Sequence, residues 1–374
     1  STLPLTISAR YGLVDQNDFF NKQVASRDVS GYYLIENGEF AYNKSYSKGY
    51  PVGTIKRLDR YSEGVLSTLY ILFKPVHISS QFLVAYFEGN MWHQEVARRA
   101  TEGARNHGLL NIAPKDFFEM RLVVPSHREQ DMIGKSLQSL DNLIAANEEK
   151  VSELKILKKL LMQRIFNQRW RFKGFTDPWE QRKFVSILKN TDGIRRGPFG
   201  SSLKKSIFVQ KSAYAVYEQQ NAIYNEYSTR YRITKEKYEE LRKFELHSGD
   251  FIMSGAGTVG KISEVPDGIS KGVFNQALIR FRINENIVDR KYFLVFMRGN
   301  IMQKKLTETN PGSAIKNLVP MKDVKNYVIY ISKIEEQRRI GKIVNLLNDL
   351  IAANEEKCEQ LKKLKKYLMQ NMFV

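Results

Sequence analysis

Two stretches of the chain carry apolar residues at alternating spacings of four and three, the stripe that one face of a paired helix requires. In the first, Ile133, Leu137, Leu140, Ile144, Asn147, Val151, Leu154 and Leu161 follow one seam, in which a charge, Lys158, takes one position. In the second, Ile340, Val344, Leu347, Ile351, Asn354, Cys358, Leu361 and Leu368 repeat it. Neither stretch contains proline, and Lys and Glu fill the outer positions, so each predicts one long helix. The string LIAANEEK occurs in both, 207 residues apart, and 129–166 and 336–373 share 23 of 38 residues. The chain is therefore an internal duplication of two large copies, too long in period for a solenoid. Two such helices in one chain pack most simply on each other. Antiparallel packing makes the halves face each other about a pseudo-two-fold axis. A seam Asn costs stability but penalises wrong registers, so Asn147 and Asn354 either pair to fix the alignment or point to solvent through an irregular seam. Cys358 stands where the first copy has Val151, as a small core residue would.

The remaining segments, 1–125 and about 169–331, are richer in aromatic and β-branched residues. LSTLYILFKP (66–75) and QALIRFRI (276–283) predict strands, and 80–99 and 289–306 predict helices that align at Gly89-Asn90 and Gly299-Asn300. The expected order is a mixed segment (1–125), a helix (126–168), a second mixed segment (169–331) and a second helix (332–374). The fold class is α+β. The helices are strongly duplicated and the mixed segments diverge, which suggests a constant frame carrying two variable modules.

Length allows two domains with real cores among the 374 residues, and a formal charge of +19 points to a polyanionic partner, most often nucleic acid. One cysteine excludes an internal disulfide framework and fits a reducing, cytoplasmic setting. No run is apolar enough for a membrane span.

The segment FIMSGAGTVGKI (251–262) spells two phosphate-binding patterns, G-x-G-x-x-G at Gly255, Gly257 and Gly260, and G-x-x-x-x-G-K ending at Lys261. Both need a helix to begin at the loop, because its free N–H groups hold the phosphate. Pro266 and Gly268 follow too soon for one, and Ile262 stands where a Mg²⁺-binding Ser or Thr belongs. The corresponding stretch of the first copy, 39–58, keeps a strand–turn–strand outline without either pattern. A glycine-rich hairpin is expected instead of a nucleotide site. The five histidines are scattered, there is no G-x-S-x-G, and paired carboxylates fall on solvent-facing helical positions, so no catalytic or metal-binding set emerges.

Basic, amide and small polar residues interleave with aromatics on the expected loops. Lys and Arg neutralise phosphates, and Asn, Gln and Arg read base edges. In the first module the candidate DNA contacts are Lys44, Tyr46, Lys48, Arg98, Arg99, Arg105 and Asn106. In the second they are Arg195, Arg196, Ser201, Ser202, Lys204, Lys205, Gln219, Asn221, Ser254, Thr258, Lys261 and Lys316.

Taken together, PWEQRK (178–183), GPFGSSLKK (197–205), LHSGDFIMSGAGTVGK (246–261) and the twice-repeated helix (128–163 and 335–370) resemble the specificity subunits of type I restriction–modification enzymes over essentially the whole chain. The resemblance implies two target-recognition domains, each reading half of a split site in double-stranded DNA. It also implies two helices that act as a ruler and dock methylation subunits, two of them, through which restriction subunits join. Such a subunit carries no catalysis and no cofactor; S-adenosylmethionine, ATP and Mg are expected on the partners. The second copy's W-E-x-x-K-type stretch has no counterpart before Ser1, so the first domain is expected to be incomplete at its N-terminus. A helix of 38 residues would be about 57 Å long, and same-face groove entries recur about every 34–36 Å, so half-sites roughly one turn apart are expected. A coiled-coil adaptor joining two protein-binding modules is the alternative. A free-standing nuclease or methyltransferase lacks its motifs.

Overall fold

The computed structural model describes residues 3–9, 11–21, 29–46, 49–102, 110–307 and 320–373. Two helices dominate it, His127–Phe166 and Ile334–Asn371. The chain divides into two compact units, 1–150 with 354–374, and 151–353, so each long helix contributes a portion to both.

In the first unit, a three-stranded antiparallel sheet places Phe40–Asn43 between Thr54–Arg57 and Ile71–Phe73. The expected strand over 66–75 is in fact two, Glu63–Leu66 and Ile71–Phe73, separated by a turn closed by Tyr70 N–H donating to the Ser67 carbonyl (3.1 Å). The expected helix over 80–99 is also two, Ser80–Glu88 and His93–Arg99. Between them the buried Trp92 Nε1–H donates to the carbonyls of Phe87 (3.2 Å) and Gly89 (3.1 Å), capping backbone acceptors that the broken helix leaves open. Ile133 and Leu137 share a core with Leu368 and Met369 from the second helix and with Phe373 just beyond its end. Asp141 pairs with Lys365 and Glu148 with Lys362, so the helix portions in this unit run antiparallel. Ile133, Leu140, Asn147 and Asn354 are buried, and Ile144 is half-buried. The Asn147 side-chain amide donates to the main-chain carbonyl of Asn354 (2.6 Å), so the two asparagines do meet, but through side chain and backbone. Cys358 is buried beside them.

The second unit repeats the sheet. Phe251–Ser254 lies between Ile262–Glu264 and Leu278–Phe281, and Ile194–Arg196 extends the far edge. A three-stranded sheet (Tyr214–Tyr217 between Arg232–Ile233 and Gly272–Phe274) encloses a separate core around Tyr217, Tyr238 and Phe274. Glu180–Lys183 pairs with Val328–Ile331. The expected helix over 289–306 breaks at Gly299 into Arg290–Arg298 and Asn300–Thr307. Ile340 and Ile351 are buried and Leu347 half-buried, as seam residues should be. Ile340 and Val344 share the larger core with Leu161, Met162 and Ile165.

The same docking device serves both units. Gly134 and Gly341 are equivalent in the repeat, and a Cβ at either would lie 2.8 Å from its neighbour, from Phe82 N in one case and from Lys291 Cβ in the other. Each glycine thus lets a long helix touch the start of a shorter one. One turn earlier, buried Gln130 accepts from Ser79 N–H (2.9 Å) and donates to the Pro125 carbonyl (2.9 Å). Its equivalent, Gln337, accepts from Asp289 N–H (3.0 Å) and donates to the carbonyls of Ile287 (3.0 Å) and Ser332 (2.7 Å). Ser79 and Asp289 are the N-caps of the docked helices.

Candidate nucleic-acid interface

The glycine-rich segment is a hairpin, since Phe251 faces Glu264 and Met253 faces Ile262 across its strands. No helix follows it, so neither phosphate motif has the setting it needs. The turn uses positive φ at Gly257 (62°) and Gly260 (85°). Ser254 is fully buried beneath it, and its hydroxyl donates to the Thr258 carbonyl and accepts from Lys261 N–H (3.0 Å). Ser254 therefore shapes the loop and is not available to DNA.

Register fixes what lies beside this loop. Ser254 pairs with Leu278 and Arg196 with Ile279, so the segment after Arg196, the segment before Leu278 and the glycine hairpin emerge at one end of the sheet. Gly255 N–H donates to the Ala277 carbonyl (2.7 Å) and Gly197 N–H to that of Leu278 (2.9 Å), which ties the three together. A Cβ on Gly197 would fall 1.8 Å from the Asn275 carbonyl oxygen, so only glycine permits the approach. Gln219, at the start of the helix Gln219–Tyr224, comes close to Gly257. Its Oε1 is buried and has no donor among the described residues.

That sheet end gathers Arg196, Ser201, Lys204, Lys205, Thr258 and Lys261, all exposed, with Ser202 and Gln219 half-buried. It also presents two residues that the sequence pattern did not single out. Phe199 is 88% exposed, an unusual state for a phenylalanine, and Gln276 is exposed beside Gly200. The bracketing glycines of GPFGS were the available signal for Phe199, whereas Gln276 was absorbed into an expected strand.

Two other candidates are occupied with the fold itself. Asn221 is completely buried; its amide donates to the carbonyls of Glu226 (2.7 Å) and Ser228 (3.1 Å), and its oxygen accepts from Glu218 N–H (2.7 Å). Arg195 alternates away from Arg196 along the strand and pairs with Asp192 (2.6 Å). Asp192 also binds Arg282 (2.7 Å) and the buried Arg280, and Arg282 reaches Asp250 (2.8 Å). Burial pushes the Asp192 carboxyl up, but the three guanidinium groups outweigh it and hold the group below the usual carboxylate range. This network braces the opposite end of the sheet.

In the first unit, Lys44 is half-buried and Tyr46 exposed, just beyond the strand Phe40–Asn43. The Lys44 carbonyl accepts from Leu110 N–H (3.0 Å), which sets this loop beside the base of the hairpin formed by Thr101–Glu102 and Leu110–Asn111. Arg98 is exposed and pairs with Glu95 (2.8 Å). Arg99 pairs with the same carboxylate (2.6 Å) and donates to the Glu119 carbonyl (3.0 Å), so it joins two helices instead of facing solvent. Lys48, Arg105, Asn106 and Lys316 lie outside the described residues.

The pattern of the type I restriction modification DNA specificity domain matches residues 199–363. The chain is 23% identical over 303 residues to the putative type I restriction enzyme MjaX specificity subunit of Methanocaldococcus jannaschii, covering 77% of this chain and 65% of that one. It is 21% identical over 339 residues to the MjaVIII specificity subunit of the same organism, covering 86% and 73%. The chain thus spans about two thirds of the length of these relatives. Among solved structures, the fold is similar to that of the HsdS subunit from Thermoanaerobacter tengcongensis (TM-score 0.50, 14% identity, 91% and 81% of the two chains). It is also similar to the type I S subunit from M. genitalium (TM-score 0.53, 12% identity, 91% and 84%).

Proposed function

We propose that this type I restriction–modification specificity subunit reads a two-part site in double-stranded DNA, one half with each mixed segment, and carries no catalysis itself. The observation that carries the reading is the sheet end of the second unit. There, cationic residues, hydroxyls and amides converge on glycine-rich backbone, all but Arg196 and Gly197 within the segment that matches the DNA specificity domain. Lys204, Lys205, Lys261 and Arg196 have the chemistry to neutralise phosphates and set the register. The exposed Gln276 has the amide chemistry to read a base edge, and the exposed Phe199 suits stacking on a base or wedging into a step.

In the proposed arrangement, 1–125 and 169–331 are the target-recognition domains. The long helices, 126–168 and 332–374, set the spacing of the half-sites and dock two methylation subunits, through which restriction subunits join. S-adenosylmethionine, ATP and Mg then belong to those partners, and the complex works in the cytoplasm. Among the described residues no helix is long and apolar enough to cross a membrane.

The test is an exchange of modules. A chain in which residues 178–331 are replaced by those of a foreign relative is expressed with its partner subunits, and the methylated motif is read by long-read sequencing. One half of the motif should change while the other half and the spacer stay. A change in both halves together would refute independent readout, and an unchanged motif would refute DNA reading by this segment.

A further inference from the structure

Against the helix His127–Phe166, the second unit holds a cavity of about 630 Å³ that the DNA reading does not use. That size lies within the usual range for a small-molecule site. Its floor is apolar, formed by Met162, Phe166, Trp179, Phe296 and Met302, and its rim is cationic, with Lys158, Lys159, Arg298 and Lys305. Trp179 is only 6% exposed, so it adds ring surface to that floor.

The duplication supplies the control. Lys158 corresponds to Lys365 of the other copy, and Arg298 to Glu88. In the first unit, Lys365 is neutralised by Glu88 (2.9 Å) and Asp141 (2.6 Å). In the second, Asn348 replaces the equivalent of Asp141 and Arg298 replaces that of Glu88, so the same lysine faces a second cation. No ion pair to Lys158 or Arg298 occurs among the described residues. The electrostatic consequence is opposite in the two places. Burial, with Arg298 and Lys155 nearby, lowers the pKa of Lys158, whereas carboxylates outweigh burial and raise that of Lys365. The protein thus keeps two adjacent cations at the mouth of an apolar hollow where its own other half shows a closed ion-pair cluster.

We infer that this cavity binds a small amphipathic organic anion, with its aromatic or aliphatic body on the apolar floor and its carboxylate, sulfonate or phosphate between Lys158 and Arg298. The site is independent of the DNA-reading loops, so its failure and that of the proposed function are separable. Two fluorescent dyes of the same aromatic build test it on the full chain: anilinonaphthalene sulfonate, and the uncharged phenylnaphthylamine. One saturable sulfonate site is expected, about tenfold or more tighter than the uncharged dye, the ratio that one charge-assisted contact supplies.

Lys158→Gln should weaken the sulfonate by about tenfold and change the uncharged dye by less than about threefold. Arg298→Glu, which installs the carboxylate found at Glu88, should abolish the preference for the anion. Because Arg298 also donates to the Ile262 carbonyl (2.8 Å), its variant is judged alongside a thermal melt. Lys158→Gln, which breaks no hydrogen bond among the described residues, carries the test if that melt shifts. Equal affinity for the two dyes, uptake without saturation, or a Lys158→Gln chain that binds the sulfonate as before would overturn the inference.

Discussion

Replacing Gln337 by Leu tests whether the docking device of the repeat holds the shorter helix on the long one as its geometry requires. Leucine nearly conserves the volume, so the perturbation is confined to polar partners. The glutamine is fully buried and serves three main-chain groups: Asp289 N–H, the Ile287 carbonyl and the Ser332 carbonyl. A buried polar group left unpaired costs about 1–3 kcal/mol. Carbonyls retain a second acceptor direction, so counting roughly two of the three as orphaned gives about 2–6 kcal/mol. Gln130 serves only two groups, so Gln130→Leu should cost less, about 2–4 kcal/mol. Amide hydrogen exchange read by mass spectrometry localises the effect. Protection across Arg290–Arg298 should fall by roughly a hundredfold or more in Gln337→Leu, with Ser80–Glu88 unaffected, and the reverse should hold for Gln130→Leu. Gln337→Glu should be at least as destabilising as Leu at neutral pH, because a buried carboxylate would lose its hydration and face the Ile287 and Ser332 carbonyl oxygens. A Gln337→Leu chain within about 1 kcal/mol of wild type would mean that the shorter helix is held by packing alone, and the reasoning would be wrong.

Acid should unfold the second unit through Asp192. Its folded pKa lies below the unfolded value of about 3.9, so the stabilisation is fully present above that pH and is lost as the pH falls through the folded value. Circular dichroism against pH should show that acid limb flattened in Asp192→Asn, which should be less stable than wild type at neutral pH. Replacing both Lys204 and Lys205 by Ala should weaken DNA binding uniformly across sequences. It should also reduce the slope of log K against log salt by about two, since each phosphate contact contributes roughly 0.9. An unchanged slope would remove these lysines from the interface.

The sequence by itself determined the elements whose information is local and repeated. The seam from Ile133 to Leu161 reads as a helix because every third or fourth residue must face one way, and the buried positions fall on that seam. The glycine hairpin was equally legible, since Pro266 and Gly268 leave no length for a helix after Gly260. Tertiary structure decided which polar residues remain free. Arg195 and Arg196 are indistinguishable in sequence, yet alternation along one strand sends the first to Asp192 and leaves the second in solvent. Asn221 and Ser254 have the chemistry of contact residues, but the chain folds over them and consumes their hydrogen bonds. Lys158 and Lys365 hold the same place in the seam, and only their neighbours across the fold, Arg298 in one unit and Glu88 with Asp141 in the other, make one a cation in search of an anion. Burial and pairing depend on residues far away in the chain, so no local pattern encodes them.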